Sequence, residues 1–156
     1  ALNSKTHTIG ILATKGTLNS ELFHETSRKF QDIKIIEQIG YNLVPLIENG
    51  EINSAEMNSL LHQYLKPMVE ANIDYLVLGC SHYPYLIPQI KKILPKRIKI
   101  IDSGEAVARQ TKKVLEENNT LNLSNKKGET IFYTNSDSKV LKTILNGNFE
   151  VIEKNF

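Results

Sequence analysis

Several things are scarce in this 156-residue sequence, and each scarcity closes off a class of protein. There is one cysteine, Cys80, so an internal disulfide cannot form, and a thioredoxin-like dithiol is excluded because no second cysteine lies at C-x-x-C spacing. Apolar runs are short, far below the ~20 residues that cross a bilayer as a helix. The first residues show no charged and apolar leader pattern. Net charge is only +2, from 19 Lys and Arg against 17 Asp and Glu, too balanced to imply nucleic-acid binding without a localised patch. His7, His24 and His62 are scattered and lack metal-ligand spacing, so no metal site is expected. No internal repeat or low-complexity tract occurs.

What remains is the profile of a globular protein: 40% hydrophobic and 23% charged residues. A chain of this length can bury about two-thirds of its unfolded surface. A lone cysteine suits a reducing compartment, so a cytoplasmic protein without a membrane segment is expected. The opening Ala1-Leu2-Asn3, without methionine and close to an apolar strand, reads as the start of a fragment or processed chain.

Strands and helices alternate. Continuous apolar runs predict strands at 8–13, 33–39, 74–80, 97–101, 130–134 and 149–152. Helices are expected over 20–30, from Ser54 onward, over 85–93, from Ser103 to about 118, and over 137–145. Residues 41–50 read as irregular or briefly helical. Pro67 should kink or split the helix that Ser54 begins. Residues 119–128 lose all periodicity and read as a linker. Runs without alternation argue for a parallel sheet covered on both faces by helices, an open α/β fold. Ligands in such folds sit beyond the carboxyl ends of the strands. The residues to weigh are therefore Thr14 to Thr17, Cys80-Ser81-His82, Asp102-Ser103-Gly104 and Thr134-Asn135-Ser136.

Cys80 is the sharpest of these. It follows Gly79 at a strand end, and the helix expected after it would bring the thiol near a positive helix terminus, with Ser81 as a cap. The plain alternative is a small buried hydrophobe. A phosphatase loop is excluded, because the sixth residue after Cys80 is Leu86 and not arginine. A Cys–His pair for acyl transfer stays open, although His82 lies only two residues away, and a thiol acting as acid or base at carbon is the other option. Lys91, Lys92, Lys96, Arg97 and Lys99 form the one basic cluster. No aromatic residues interleave with it, so it reads as a solvated helix end.

Leu78-Gly79-Cys80-Ser81-His82-Tyr83-Pro84 resembles the leucine–glycine–cysteine–threonine–histidine–tyrosine–proline signature of glutamate racemases, with serine in place of threonine. Ile9 to Ser20, Leu43 to Gly50, Ile100 to Gly104 and Ile131 to Thr134 resemble further segments of that family in the same order. The resemblance implies a flavodoxin-like second domain over 1–102. It assigns 103–156 to a C-terminal segment that, in intact members, packs on a first domain carrying another catalytic cysteine. It implies cofactor-independent interconversion of L- and D-glutamate by two thiols on opposite faces of the α-carbon, supplying D-glutamate for bacterial peptidoglycan, with this chain alone inactive.

By the same resemblance, Cys80 is one of the two acid/base thiols, assisted by His82, and Glu48 is a carboxylate near the reacting centre. Ser81 and His82 would bind the substrate. Independently of the resemblance, Thr14, Gly16 and Thr17 stand before a helix N-terminus with hydroxyls and backbone N–H groups to offer a substrate carboxylate; the plain alternative is an ordinary polar turn. Without a first domain, apolar surface on 103–156 would be exposed, and a homodimer, other self-association or a rearranged tail is expected. Two other readings stay open: a related racemase or one-cysteine decarboxylase of the superfamily, and a noncatalytic α/β module that binds an anion.

Overall fold

The computed structural model describes all residues except Asn125, Lys127 and Asn146. Two of these fall in the expected linker 119–128, and that part of the expectation lies outside the described residues. The chain divides into two compact units, one of residues 1–47 and 51–103, the other of residues 48–50 and 104–156.

The first unit is built on a four-stranded parallel sheet. Its strands are β1 (Thr8–Ala13), β2 (Lys34–Ile39), β3 (Tyr75–Gly79) and β4 (Lys99–Ile101), in the order β2-β1-β3-β4. That is the flavodoxin-like order, in which the chain turns back at β1 and β3. The helices are α1 (Lys15–Leu18), α2 (Glu21–Arg28), α3 (Leu43–Glu48), α4 (Ala55–Glu70) and α5 (Ile87–Ile93).

Successive side chains of a strand point to opposite faces, and both faces here are apolar. Leu12 of β1 and Leu76 and Leu78 of β3 pack with Leu43, Ile47, Met57, Leu61, Leu65 and Met68 in the larger core. Ile9, Ile11 and Ala13 of β1 form the smaller core with Leu18, joined by Phe23, Ile35 and Val77.

The sequence explains α4 locally. Met57, Leu61, Tyr64, Leu65 and Met68 recur on one face and are buried. Ser54 caps the helix by accepting from the Met57 N–H at 3.1 Å. Pro67 does not split it. The helix is continuous from Ala55 to Glu70, and Pro67 sits in its last turns, where burial of Leu65 and Met68 on either side holds the backbone in place.

The second unit pairs β5 (Ile131–Thr134) with β6 (Glu150–Glu153) in parallel, and also contains α6 (Gly104–Glu117) and α7 (Ser138–Ile144). Phe132 and Phe149 meet edge to face, with centroids 5.2 Å apart. Glu153 accepts from the Ser138 N–H at 3.0 Å, and hydrogen bonding from Ser138 lowers its pKa. Along α6, Arg109 pairs with Glu105, Lys112 with Glu116 and Lys113 with Glu117, all at i,i+4 spacing.

Candidate functional site

The carboxyl ends of β1 and β3 lie side by side, with Ala13 opposite Gly79 in the register. Each strand runs directly into a polar turn. After β1, Thr14 caps α1, its Oγ1 accepting from the Thr17 N–H at 3.3 Å and lying 3.0 Å from the Thr17 Oγ1. The Thr17 hydroxyl in turn donates to the Gly79 carbonyl at 3.0 Å, tying the first turn to the residue before Cys80.

Gly79 is required here for close approach, not for flexibility as its place before a turn suggests. A Cβ at Gly79 would stand 2.7 Å from the Ala13 Cβ, so a side chain there would force the two strand ends apart.

Beyond Gly79 come Cys80, Ser81 and His82. The Cys80 thiol is half-buried against the edge of the larger core. Its Sγ lies 4.0 Å from the His82 Nδ1, the outer limit of a sulfur hydrogen bond. Ser81 is exposed, and its Oγ lies 3.3 Å from the same nitrogen.

The chain then enters a 3₁₀ turn, Tyr83–Leu86, and becomes α-helical only at Ile87. This corrects two expectations. The helix does not begin at Tyr85, and Ser81 does not cap it: His82 occupies the cap position of the 3₁₀ turn and makes no side-chain cap bond. Pro84 and Pro88 stand at the first positions of the two helical segments, where a missing N–H costs nothing, and their fixed φ favours two short turns here.

Tyr83 anchors this loop, and sequence reasoning gave it no role. The side chain is fully buried, and its hydroxyl donates to the Gly40 carbonyl at 3.1 Å, just beyond β2. A side chain at Gly40 would collide with the Tyr83 ring. The Tyr83 N–H also donates to the Cys80 carbonyl at 3.2 Å. Burial, with smaller contributions from Cys80 and Tyr64, raises the Tyr83 pKa and keeps it a neutral donor. The signal was a large aromatic in an otherwise polar loop, one turn from a buried strand; its partner, 43 residues earlier in the chain, leaves no local trace.

Of the residues singled out from sequence, Cys80, Ser81 and His82 share one loop, and Thr14 and Thr17 share the neighbouring one. Glu48, at the end of α3, is exposed and groups with the second unit. Among the described residues, no group of three or more His, Cys, Asp or Glu side chains could hold a metal ion. Likewise, no helix is long and apolar enough to cross a membrane.

Residues 1–111 match the sequence model of the family described as Asp/Glu/Hydantoin racemase. The chain belongs to this family.

A glutamate racemase of Pseudomonas putida is 37% identical over 146 residues, covering 93% of this chain and 55% of its own length. The crystal structure of the glutamate racemase isoform RacE1 from Bacillus anthracis superposes over 99% of this chain and 60% of that one, with a TM-score of 0.81 and 26% identity. The glutamate racemase of Francisella tularensis in complex with D-glutamate aligns with 96% of this chain and 57% of its own, with a TM-score of 0.79 and 27% identity. The chain thus spans about half the length of the family members it matches. The α/β architecture, with a four-stranded parallel sheet and a smaller parallel sheet, corresponds to part of the racemase structures.

Proposed function

We propose that this chain supplies one of the two acid/base faces of a glutamate racemase, with residues 103–156 belonging to the domain that carries the other. The observation that supports this reading most is the Cys80-Ser81-His82 loop at the carboxyl end of β3, with thiol and imidazole 4.0 Å apart, in a chain related to glutamate racemases over most of its length.

Inverting an α-carbon through a planar carbanion needs a proton acceptor on one face and a proton donor on the other. In one direction the Cys80 thiolate takes the α-proton, becoming a thiol, while a second thiol outside this chain gives its proton to the opposite face. In the reverse direction the roles exchange. No net electron transfer occurs, and the chemistry calls for no cofactor. A thiol's ordinary pKa of ~8.5 lies close enough to neutrality for either role.

His82 assists Cys80 and offers positive charge toward the developing carbanion. Ser81, exposed beside it, offers its hydroxyl and backbone N–H to the substrate; serine keeps the hydroxyl that threonine would provide. Thr14 contributes a hydroxyl from the neighbouring turn. Thr17 already donates to Gly79, so its share is chiefly to hold the two turns together. The product would be D-glutamate for the cell wall of a bacterium, made in the cytoplasm. The exposed apolar residues of the second unit support self-association of the isolated chain.

The test uses the full-length gene product. Cys80→Ser is expected to lower kcat for both enantiomers by about 10²–10⁴-fold or more, the scale of a lost acid/base group. The 156-residue chain alone should not racemise. Normal turnover by Cys80→Ser would sink the assignment. Because the family also spans aspartate and hydantoin racemases, the same assay with aspartate and hydantoins as substrates, followed by optical rotation, fixes the substrate.

A further inference from the structure

One cavity lies away from Cys80. It is a groove of about 820 Å³ along the outer edge of β4, lined by residues of the first unit alone. Its apolar walls come from α5, β4 and the loop between them: Ile87, Leu94, Ile98, Ile100 and Ile101. Leu94 and Ile98 are buried, whereas Ile101 is 45% exposed.

The basic cluster of the sequence divides at this groove. Lys91, Lys96 and Lys99 line it, whereas Lys92 does not, and Arg97 is turned to the Ile73 carbonyl at 3.0 Å. Neither Lys91 nor Lys96 pairs with a carboxylate among the described residues. The Lys99 Nζ lies 3.4 Å from the Tyr75 hydroxyl and 5.4 Å from its ring centroid. One carboxylate, Asp102, is also in the lining.

A lysine on an edge strand can serve simply to discourage strand pairing. That accounts for Lys99 but not for Lys91 and Lys96, which come from a helix and a loop and meet at the same groove. Three lysines lining a mainly apolar groove match a ligand with an apolar body and one anionic head. The volume lies in the range of small-molecule sites, about 300–1,000 Å³.

We propose that the β4 groove binds a small amphiphilic anion, an apolar chain or ring carrying one carboxylate or phosphate. The proposal does not depend on Cys80 or on racemisation.

The test is amide NMR on the ¹⁵N-labelled chain, titrated with decanoate, decyl phosphate and decanol in separate arms. Saturable shifts confined to Tyr75, Ile87 and residues 91–101 are expected with one or both anions, and weaker binding with decanol. The anion arm that saturates first identifies the head group. The triple variant Lys91→Glu, Lys96→Glu, Lys99→Glu should weaken that binding by about tenfold or more, as should 0.5 M salt, because the charges are exposed and screenable. All three positions are on the surface, and an unchanged circular dichroism spectrum would verify the fold. Equal binding by the triple variant would overturn the proposal, as would shifts on α6 instead. It also falls if hexaglutamate alone shifts the groove, marking an acidic peptide site, or if the same residues shift with protein concentration without ligand, marking a second copy.

Discussion

Asp74 shows how much one side chain can organise. It precedes β3, and its carboxylate accepts from the Ser4 hydroxyl at 2.7 Å and from the backbone N–H groups of Lys5 and Thr6 at 2.5 and 3.2 Å. Partial burial works against its charge, but these donors outweigh that and hold its pKa at about 2. A carboxylate depressed in the folded state stabilises the fold above its unfolded pKa of ~3.9 and loses that contribution as pH falls toward the folded value. Asp74→Asn should therefore melt at a lower temperature than the parent at pH 7, and the gap should narrow between about pH 4 and pH 2. Thermal unfolding followed by circular dichroism across that range checks this. A gap that stays constant with pH would show that the carboxylate's charge is not what matters. None of this was readable from the sequence, since an aspartate before an apolar run is common and its donors lie about 70 residues earlier. Cys80 is the opposite case, because a lone cysteine flanked by Gly79, Ser81 and His82 carries its signal locally.

At the scale of elements, the apolar periodicity located every strand and most helix cores, and the departures have identifiable causes. The strand expected from Arg97 begins only at Lys99 because Arg97 donates its guanidinium to the Ile73 carbonyl and Ile98 bonds back to Pro95. The segment after Cys80 splits into a 3₁₀ turn and α5 because two prolines lie four residues apart. Residues 43–48 form a helix because Leu43, Leu46 and Ile47 share a buried face, a pattern too short to decide in isolation. Ser54 begins α4 as its sequence position suggests. Ser54→Ala should cost about 1 kcal/mol, the usual loss for a helix cap. Urea unfolding with an unchanged slope would verify the magnitude, and a change near zero would mean that the cap bond to Met57 contributes little.

Taken as a whole molecule, the chain leaves an unusual amount of apolar surface open in its second unit. Val107 is 59% exposed and Val114 43%, on a helix with no buried residue, and Tyr133 is 51% exposed. Such a stripe is a habitual site of association. The isolated chain should therefore show a concentration-dependent mass above 17.7 kDa in light scattering, and Val114→Lys should shift it toward the monomer. A monomer at all concentrations would count against self-association through α6.

The sequence by itself determined the α/β class, the parallel pairing and the strand end that carries Cys80, because these follow from local periodicity and from a short motif. The family resemblance was equally legible there. Only the tertiary structure decided that Thr17 holds Gly79, that Tyr83 closes on Gly40, that three of five basic residues converge on an apolar groove, and that Glu48 groups with the second unit. Each of those is a meeting of residues distant along the chain, set by how strands align and how closely their ends pack, and neither composition nor spacing encodes such a meeting locally.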